Sequence, residues 1–409
     1  MRIKKGLLSC LLTLLSITML TGCLESIQIN QLGIVAGIGI DKSDDVYTVT
    51  VQILNPSAIA GKSGNALPVY SLTAEGTSIH EAYNKLDQYT STALSLSHLN
   101  VIIINEEFAK AGIAPALNFA LRRFDIRPDL TIVVAKEESA NDILSVVTAL
   151  DMIPAAQINV SEMVSTHTAR LTSSNLYETV DMVNTHAINV VLNAISIHRE
   201  AEHVGEKVER KDGTEGQITH NGSKIDNVLD ISAPVQLRIE HLAVFQGDKL
   251  VDFIDDSEAQ LYNMVLGNNK RYQVVTRIEE EYYTSLGVTG TKSKITTDLA
   301  NNEATIKMSL KGVIFENTYP IDLTNQENLT AMSEYLKDQF EQDMNKFVHK
   351  VQTELKSDIF GIGGKAHHQE NKIWAEKEGY WSELFPELTI NIEIELEVDS
   401  VGEIGNVTL

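Results

Sequence analysis

Cysteine is nearly absent from this chain of 409 residues. The only two cysteines, Cys10 and Cys23, both lie within the first 23 residues. The rest of the chain therefore has no thiol for a disulfide or for a cysteine-ligated metal. A chain of this length without disulfides must be stabilised by its apolar core, for which 43% hydrophobic residues suffice. The length predicts two or three domains.

Basic residues are also scarce, with 33 Lys and Arg against 56 Asp and Glu. Three of the basic residues, Arg2, Lys4 and Lys5, precede residue 23, which leaves 30 against 56 and a net charge of −26 from there on. This charge disfavours nucleic acid as a partner, because phosphate binding depends on neutralisation by Lys and Arg. An acidic body also gains nothing from an anionic lipid surface, so membrane attachment would need another source.

The motifs of common enzymes are missing as well. The chain has no Gly-x-Ser-x-Gly elbow, no His-Glu-x-x-His pair and no P-loop. The run Gly361-Ile362-Gly363-Gly364-Lys365 lacks P-loop spacing and is more typical of a helix C-terminal turn. We therefore expect no enzyme activity, no catalytic residue and no cofactor.

Metal-ligand patterns are equally weak. His367 and His368 are adjacent in sequence and favour a solvated pair on a loop over a metal site. Asp44-Asp45 and Asp255-Asp256 lack the calcium-loop pattern and predict turns. His98 precedes a buried strand, which favours a structural histidine over a catalytic one. We expect no metal.

One long apolar run is present, at residues 6–20, after the basic start Met1-Arg2-Ile3-Lys4-Lys5. It is too short for a spanning helix, which needs roughly 20 apolar residues. A basic start, an apolar core and a small-residue site predict a secretory signal peptide over residues 1–22. The run ends in Leu20-Thr21-Gly22-Cys23, which resembles the bacterial lipobox. That resemblance implies cleavage between Gly22 and Cys23 and a lipid on Cys23; an ordinary signal peptide with a chance cysteine is the alternative.

Strand and helix patterns alternate through residues 31–200, after a short tether at 23–30. Apolar runs predict strands at 33–40, 46–54, 98–105 and 130–135, and helical spacing predicts helices from Ser78 and over 106–122 and 138–150. The glycines in 33–39 indicate close packing, because a strand rather than a helix follows them. The alternation predicts an α/β layer domain. Residues 152–200 have a weaker pattern, which predicts helix and irregular chain.

The second half of the chain has a different pattern. Residues 201–230 are charged and predict a flexible linker. The middle region, 231–290, predicts a hairpin with its turn at Gly247-Asp248 and a helix over 257–266. Residues 291–409 predict strands at 303–311 and 388–398 and a long helix over 326–359, an antiparallel sheet covered by one helix. The whole is a multi-domain α+β protein.

The last predicted strand alternates apolar residues with Glu393, Glu395 and Glu397. An outward acidic face of this kind protects a sheet edge and is favoured as plain solvated surface. The alternative is a docking face for a basic partner.

Several segments in this order resemble one protein family, the Ger(x)C or GerAC-like C-subunit lipoproteins of spore germinant receptors. These segments are 32–42 (LGIVAGIGIDK), 49–56 (VTVQILNP), 76–82 (GTSIHEA), 97–104 (SHLNVIII), 106–109 (EEFA), 243–251 (AVFQGDKLV) and 357–363 (SDIFGIG), followed by Trp381 and Phe385-Pro386. The resemblance extends from the lipobox nearly to the C-terminus. No segment is specific alone; their order and spacing carry the likeness.

The resemblance implies a non-enzymatic component of a membrane complex with three mixed domains. It implies a location on the outer face of the spore inner membrane, beside two polytopic subunits of the same receptor. It also implies that the complex handles a small nutrient germinant. The main alternative is a solute-binding lipoprotein of an importer, which would need two similar α/β lobes around a cleft. A secreted hydrolase is a third option, weakened by the missing nucleophile motif.

Overall fold

The computed structural model describes residues 32–61, 67–146, 153–165, 168–185, 187–199, 218–220, 223–225, 235–267, 271–279 and 281–401. Their strands form a nine-stranded sheet, a four-stranded sheet and a two-stranded hairpin. This arrangement confirms the predicted multi-domain α+β class. The resemblance implies three domains, whereas the described residues have two large sheets.

The first sheet contains most of the N-terminal half of the chain. Its strands are β1 (Leu32–Ser43), β2 (Val46–Leu54), β3 (Val69–Gly76), β4 (Ala93–Ser95), β5 (Val101–Asn105), β6 (Thr131–Ala135), β7 (Val191–Arg199), β10 (Val235–Gln246) and β11 (Lys249–Ile254). The order is β11-β10-β7-β6-β5-β1-β2-β3, with β4 beside the start of β1. Strands β1, β5, β6 and β7 are parallel, and β2, β3, β10 and β11 extend the sheet by antiparallel pairing.

Helices cover both faces of the first sheet. They are α2 (Ile79–Leu86), α3 (Glu106–Ala111), α4 (Ala114–Leu121), α5 (Ala140–Ser145), α6 (Pro154–Ser165) and α7 (Leu176–Asn184). A single helical turn after β2, α1 (Pro56–Ile59), buries no residue. The central parallel strands are buried on both sides, which explains why β5 and β6 are nearly continuous in Val and Ile and why β1 alternates Ile and Val with Gly and Ala. Two apolar clusters, one on each face, form the core.

The glycines of β1 lie where helices approach the sheet. A Cβ on Gly37 would lie 2.8 Å from the Cβ of Ala155, and one on Gly39 would lie 2.9 Å from the Cβ of Ala140. These two contacts belong to α6 and α5. The interpretation of the glycines as close-packing positions is therefore confirmed.

The second sheet lies in the C-terminal half, in the order β12-β13-β14-β15. Its strands are β12 (Tyr272–Ile278), β13 (Tyr282–Asp298), β14 (Glu303–Asn317) and β15 (Thr389–Val401). Strands β12 to β14 pair antiparallel, but β15 pairs parallel to β14, so the sheet is mixed rather than wholly antiparallel. The cause is the helical connection between β14 and β15, which returns the chain to the end of the sheet where β14 began.

Helices cover one face of the second sheet. They are α8 (Asp256–Leu266), α9 (Gln326–Lys350), α10 (Ile362–Gln369), α11 (Asn371–Lys377) and α12 (Trp381–Leu384). The apolar side of α9 packs against the sheet through residues such as Leu336, Phe340 and Met344, as predicted. A π-helical turn, Val351–Leu355, follows α9, and Lys356 has a φ of 50°. The helical run therefore ends at Leu355, before the expected residue 359.

The structure corrects three further element predictions. The helix expected over 106–122 is two helices, α3 and α4, because the chain turns at Gly112, which has a φ of 121°. Strand β7 lies where helix and irregular chain were expected. The middle region, 231–290, divides between the two sheets, since β10 and β11 pair into the first and β12 into the second.

Most of the predicted linker at 201–230 lies outside the described residues. Within it, β8 (Ile218–His220) and β9 (Ser223–Ile225) pair as an antiparallel hairpin. The last residues of the helix expected over 138–150 also lie outside the described residues, and α5 accounts for the part that is described.

Candidate functional site

Residues 357–363 connect the two sheets, and we call this segment the joint. The hydroxyl of Ser357 donates a hydrogen bond to the carbonyl of Phe245 in β10. The backbone N–H of Asn189, just before β7, donates to the carbonyl of Asp358 at 2.8 Å. Gly364, the next residue after the joint, donates its N–H to the carbonyl of Ala187 at 2.9 Å. The joint therefore ties the C-terminal helices to β10 and to the chain just before β7 by backbone and side-chain hydrogen bonds.

Asp358 is the buried polar centre of the joint, with 2% of its surface exposed. Its carboxylate accepts hydrogen bonds from the backbone N–H groups of Ile362, at 3.1 Å, and Gly363, at 2.8 Å. The indole Nε1–H of Trp381 donates to the same carboxylate at 3.1 Å. Burial raises the pKa of Asp358 to about 6, and the hydrogen bonds from Gly363, Ile362 and Trp381 act in the opposite direction.

Gly363 lets the tryptophans close over the joint. A Cβ at this position would lie 2.8 Å from both Trp374 Cη2 and Trp381 Nε1, and 2.9 Å from the carbonyl of Ala187. The two indole rings are edge to face with centroids 5.0 Å apart. No side chain larger than hydrogen fits here without moving an aromatic ring or the backbone, which makes the joint a packed connection rather than a hinge.

A second feature is the amino-terminal edge of the first sheet. We define it by the ends of the strands beside Leu32 and by the described segments 55–61, 67–68, 87–100 and 121–130 together with Tyr177. Leu32 pairs with Ala93 at the start of β1, and the N–H of Leu96 donates to Asp125 in the segment 121–130 at 3.4 Å. Tyr177 donates its N–H to the carbonyl of Pro128 in the same segment at 3.0 Å. These contacts bring the loops to the end of the sheet where the described chain begins.

Large apolar side chains are exposed at this edge. Of twelve such side chains among the described residues, half lie there: Ile59, Leu67, Tyr89, Leu121, Phe124 and Tyr177. Phe124 is fully exposed. Single exposed apolar residues are ordinary, but their concentration at one edge indicates a contact surface.

A groove of about 510 Å³ opens between α2 and α4. Its lining includes Ser78, His80, Phe119 and Arg123. The guanidinium of Arg123 lies 4.7 Å from the centroid of Tyr83 and pairs with Asp125 at 3.0 Å. These contacts hold Arg123 in place. The groove is therefore a concave surface at which binding of a small ligand can be tested.

The acidic face of β15 is paired internally. Lys307 of β14 lies 2.7 Å from Glu395 and 3.8 Å from Glu393, and Lys311 lies 2.6 Å from Glu397. β15 is also the edge strand of its sheet. Two lysines of β14 thus pair with the three glutamates of this face, which leaves one negative charge over and weakens the alternative of a docking site for a basic partner.

Gly22 and Cys23 lie outside the described residues, so the predicted cleavage and lipid site stays a prediction. The other residues singled out from the sequence do not come together. Within the described ranges, no cluster of three or more His, Cys, Asp or Glu side chains could hold a metal ion. In the same part of the chain, no helix is long and apolar enough to cross a membrane.

Two histidine predictions are wrong in their placement. His367 and His368 lie on helix α10 rather than on a loop, and their rings stack with centroids 5.7 Å apart. His98 is exposed in a turn rather than buried as a structural histidine. All three side chains face solvent.

The glycine and aspartate predictions had mixed outcomes. Gly361 precedes α10 with a φ of 72°, so the glycine run begins a helix instead of ending one. Asp44 and Asp45 form the expected turn between β1 and β2. Asp255 caps the N-terminus of α8 in a capping box with Glu258, and Asp256 is the first helical residue, where a turn was expected.

Two family models match the chain, and together they cover most of it. One is described as the spore germination protein N-terminal domain and matches residues 25–197. The other is described as spore germination B3/GerAC like, C-terminal, and matches residues 240–402. The chain belongs to the GerAC-like family of spore germination proteins, as the resemblance implied, and it has a role in spore germination.

Individual relatives agree with this assignment. The chain is 26% identical to spore germination protein KC of Bacillus subtilis (strain 168), over 98% of this chain and 97% of that protein. It is 21% identical to spore germination protein B3 of the same organism, over 94% and 96%. The crystal structure of the GerBC protein has a similar fold, with a TM-score of 0.50 at 15% identity, over 89% of this chain and 97% of that one.

Residues 357–363 and Trp381 carry part of the family resemblance, but their sequence did not predict a connection between the two sheets. The signal was present in the polar pair Ser357-Asp358 directly before the apolar run 359–363, because a buried carboxylate requires dedicated donors. What the sequence did not show was the partner of each group, since Ser357 and Phe245 are 112 positions apart.

Proposed function

We propose that this chain is a lipid-anchored subunit of a nutrient germinant receptor in the spore inner membrane. In this proposal, diacylglycerol on Cys23 holds it at the outer face, and it acts by contact with two polytopic membrane subunits. The observation that carries the proposal is the match of both halves of the chain to the GerAC-like family models in a sequence that also has Leu20-Thr21-Gly22-Cys23.

The anchor accounts for attachment in an acidic protein. Each buried CH₂ contributes about 0.8 kcal/mol, and one acyl chain alone binds marginally, so a diacylated cysteine is needed for stable attachment. The net charge of −26 from Cys23 onward opposes adsorption to an anionic membrane by charge alone.

Action by contact is supported by the arrangement of the sheets. Helices cover both faces of the first sheet, the joint is closely packed, and the described residues hold no metal cluster. The predicted α/β alternation occurs only in the first half, whereas a solute-binding protein of an importer needs two such lobes. The family is not a known enzyme family.

The proposal is tested by isolating the chain from spore membranes in mild detergent. We expect the wild type to label with fatty acid, to fractionate with the membrane and to co-purify two multi-spanning proteins. We expect Cys23→Ala to lose the label and leave the membrane fraction, with Cys10→Ala as the matched control because residue 10 lies in the predicted signal peptide. Equal membrane retention of Cys23→Ala, with no label on the wild type, would overturn the anchor.

The alternative of a small-molecule receptor is tested on the same protein. Calorimetric titration of the detergent-solubilised chain with amino acids and sugars is expected to give no binding heat. Micromolar binding that is lost in a variant of the groove between α2 and α4, such as Phe119→Ala, would instead favour a solute-binding lipoprotein.

A further inference from the structure

We propose that the amino-terminal edge of the first sheet rests on the lipid surface, with its exposed aromatic and apolar side chains at the level of the headgroups. This inference rests on the proposed lipid at Cys23. It adds an orientation for the folded body, which the anchor alone does not fix.

The length of the connecting segment limits where the body can be. Eight residues separate Cys23 from Leu32, the first described residue. Nine Cα–Cα steps span at most about 30 Å when fully extended. The end of β1 that holds Leu32 therefore stays close to the membrane, and the loops at that end are the nearest parts of the folded protein.

The side chains at this edge suit a lipid–water interface. Tyr89, Phe124 and Tyr177 are all more than 60% exposed, and each lies in or against the loops at this edge. Aromatic side chains are enriched at the headgroup level of membranes, because their rings are apolar and, in tyrosine, carry a polar tip. Moving the apolar surface of these side chains from water into the lipid interface lowers the free energy.

The local charge favours the same orientation. The loops 87–100 and 121–130 contain three arginines, at 122, 123 and 127, against three aspartates, at 87, 125 and 129. Their sum is zero, whereas the chain from Cys23 onward has a net charge of −26. Beside an anionic surface, the acidic remainder is repelled over roughly a Debye length of 8–10 Å, while this neutral edge is not.

The opposite orientation is unfavourable. Exposed residues of the second sheet include the paired lysines and glutamates of β14 and β15. Immersing those charges in the interface would cost desolvation without an apolar gain. The joint contacts Phe245 in β10 and Asn189 just before β7, at the same end of the parallel strands as Leu32. In the strand order it is separated from β1 by β6 and β5.

The absence of free thiols makes a direct test simple. With Cys10 removed and Cys23 acylated, one introduced cysteine is the only labelling site. We would prepare Phe124→Cys and Tyr89→Cys in the full lipoprotein, with Phe315→Cys and Tyr335→Cys as matched exposed sites in the C-terminal half. Each would carry a fluorescent label and be reconstituted into vesicles of phosphatidylglycerol and phosphatidylethanolamine containing a lipid-bound quencher.

We expect quenching and a blue shift at positions 124 and 89, and no change at 315 and 335. Equal behaviour at all four positions, with the protein still bound to the vesicles, would overturn the orientation while leaving the anchor intact. If wild-type protein does not bind the vesicles, the proposed anchor itself fails. If labels at 124 and 89 are shielded only after the polytopic subunits are added, this edge docks protein and the lipid contact is wrong.

Discussion

The two sheets of this molecule differ in how they meet water. Helices cover both faces of the first sheet, and its parallel strands are almost wholly apolar. The second sheet is covered on one face, and its outer face carries the ladder of Lys307, Lys311 and the β15 glutamates. The first sheet can therefore meet a partner only through its edges and loops, and the second offers a face whose charges are already paired.

This difference separates two kinds of surface. At the joint, apolar groups are packed and polar groups are buried and hydrogen-bonded, so substitutions there should change the stability of the fold. At the amino-terminal edge, apolar groups are exposed, so changes there should act on association. The predictions below test whether stability and association divide in this way.

The largest effect is expected from Leu250→Asp in β11. Leu250 is 6% exposed in the core of the first sheet, and an uncompensated buried carboxylate should cost about 4 kcal/mol or more. We expect a collapse of the melting transition, loss of co-purification with the proposed membrane subunits and loss of germination. The neighbouring exposed residue provides the control, since Lys249→Ala should melt like the wild type. A stable Leu250→Asp protein would show that β11 is not part of the core.

The next effect concerns the pH dependence contributed by Asp358. Its folded pKa is raised from 3.8 to about 6, so the folded state favours the protonated carboxyl. This contribution to stability is present below pH 4 and is lost as the pH rises to 6, by about 3 kcal/mol. Asparagine does not titrate, so we expect the unfolding free energy of the wild type, relative to that of Asp358→Asn, to fall as the pH rises from 4 to 6.

Subtracting the variant is needed because other carboxyls act in the opposite sense. Burial raises the pKa of Glu106 and of Asp125, but hydrogen bonds and ion pairs with Lys110 and Arg123 outweigh it and lower both pKa values. The contribution of these two groups to the stability of the protein is therefore lost as the pH falls. They are the same in both proteins and cancel in the difference. A difference that does not vary between pH 4 and 6 would mean that Asp358 is not buried as described.

A smaller effect is expected from adjacent glycines in α10. Gly363→Ala should lower the unfolding free energy by about 1–3 kcal/mol, because its Cβ overlaps Trp374, Trp381 and a backbone carbonyl. Gly364→Ala should raise the unfolding free energy by up to about 1 kcal/mol, because the atom nearest to its Cβ is 3.8 Å away and alanine favours helix. Thermal unfolding with tryptophan fluorescence measures both. Equal and small shifts would show that the joint is looser than the contacts indicate.

The smallest effect is expected from the three exposed histidines. His98→Ala, His367→Ala and His368→Ala should leave melting and germination near wild type, because none is buried or part of a metal cluster in the described chain. Germination lost in a folded His98→Ala protein that still binds its partners would indicate a chemical site at that position.

Strong periodicity allowed much of the first sheet to be predicted. Strands β1, β2, β5 and β6, the hairpin of β10 and β11, and the helix capped by Ser78 all follow from local pattern and capping. Strand β7 was missed because Asn193, buried with hydrogen bonds to Thr172 and Ser174, interrupts its apolar run. The alternation of β13 is likewise broken by bulges near Leu286 and Gly290.

The joint could not be predicted because its contacts are long-range. Asn189 and Asp358 meet only when the first sheet and the C-terminal helices are both formed. The parallel pairing of β15 was also hidden, since an alternating strand gives no signal for the direction of its neighbour. The exposed apolar edge could not be predicted either, because the segments that form it are far apart along the chain.

The central claim is that this chain is a tethered contact protein of germination, and one measurement tests it most directly. Germination in response to nutrients would be compared in spores that carry one of three proteins. These are the wild type, the Cys23→Ala variant, and a Cys23→Ala variant in which an unrelated membrane-spanning helix is placed before residue 24. The account predicts loss of germination with Cys23→Ala and recovery with the substitute anchor, because position at the membrane and not the lipid chemistry is required. Wild-type germination with the Cys23→Ala protein in the soluble fraction would contradict it.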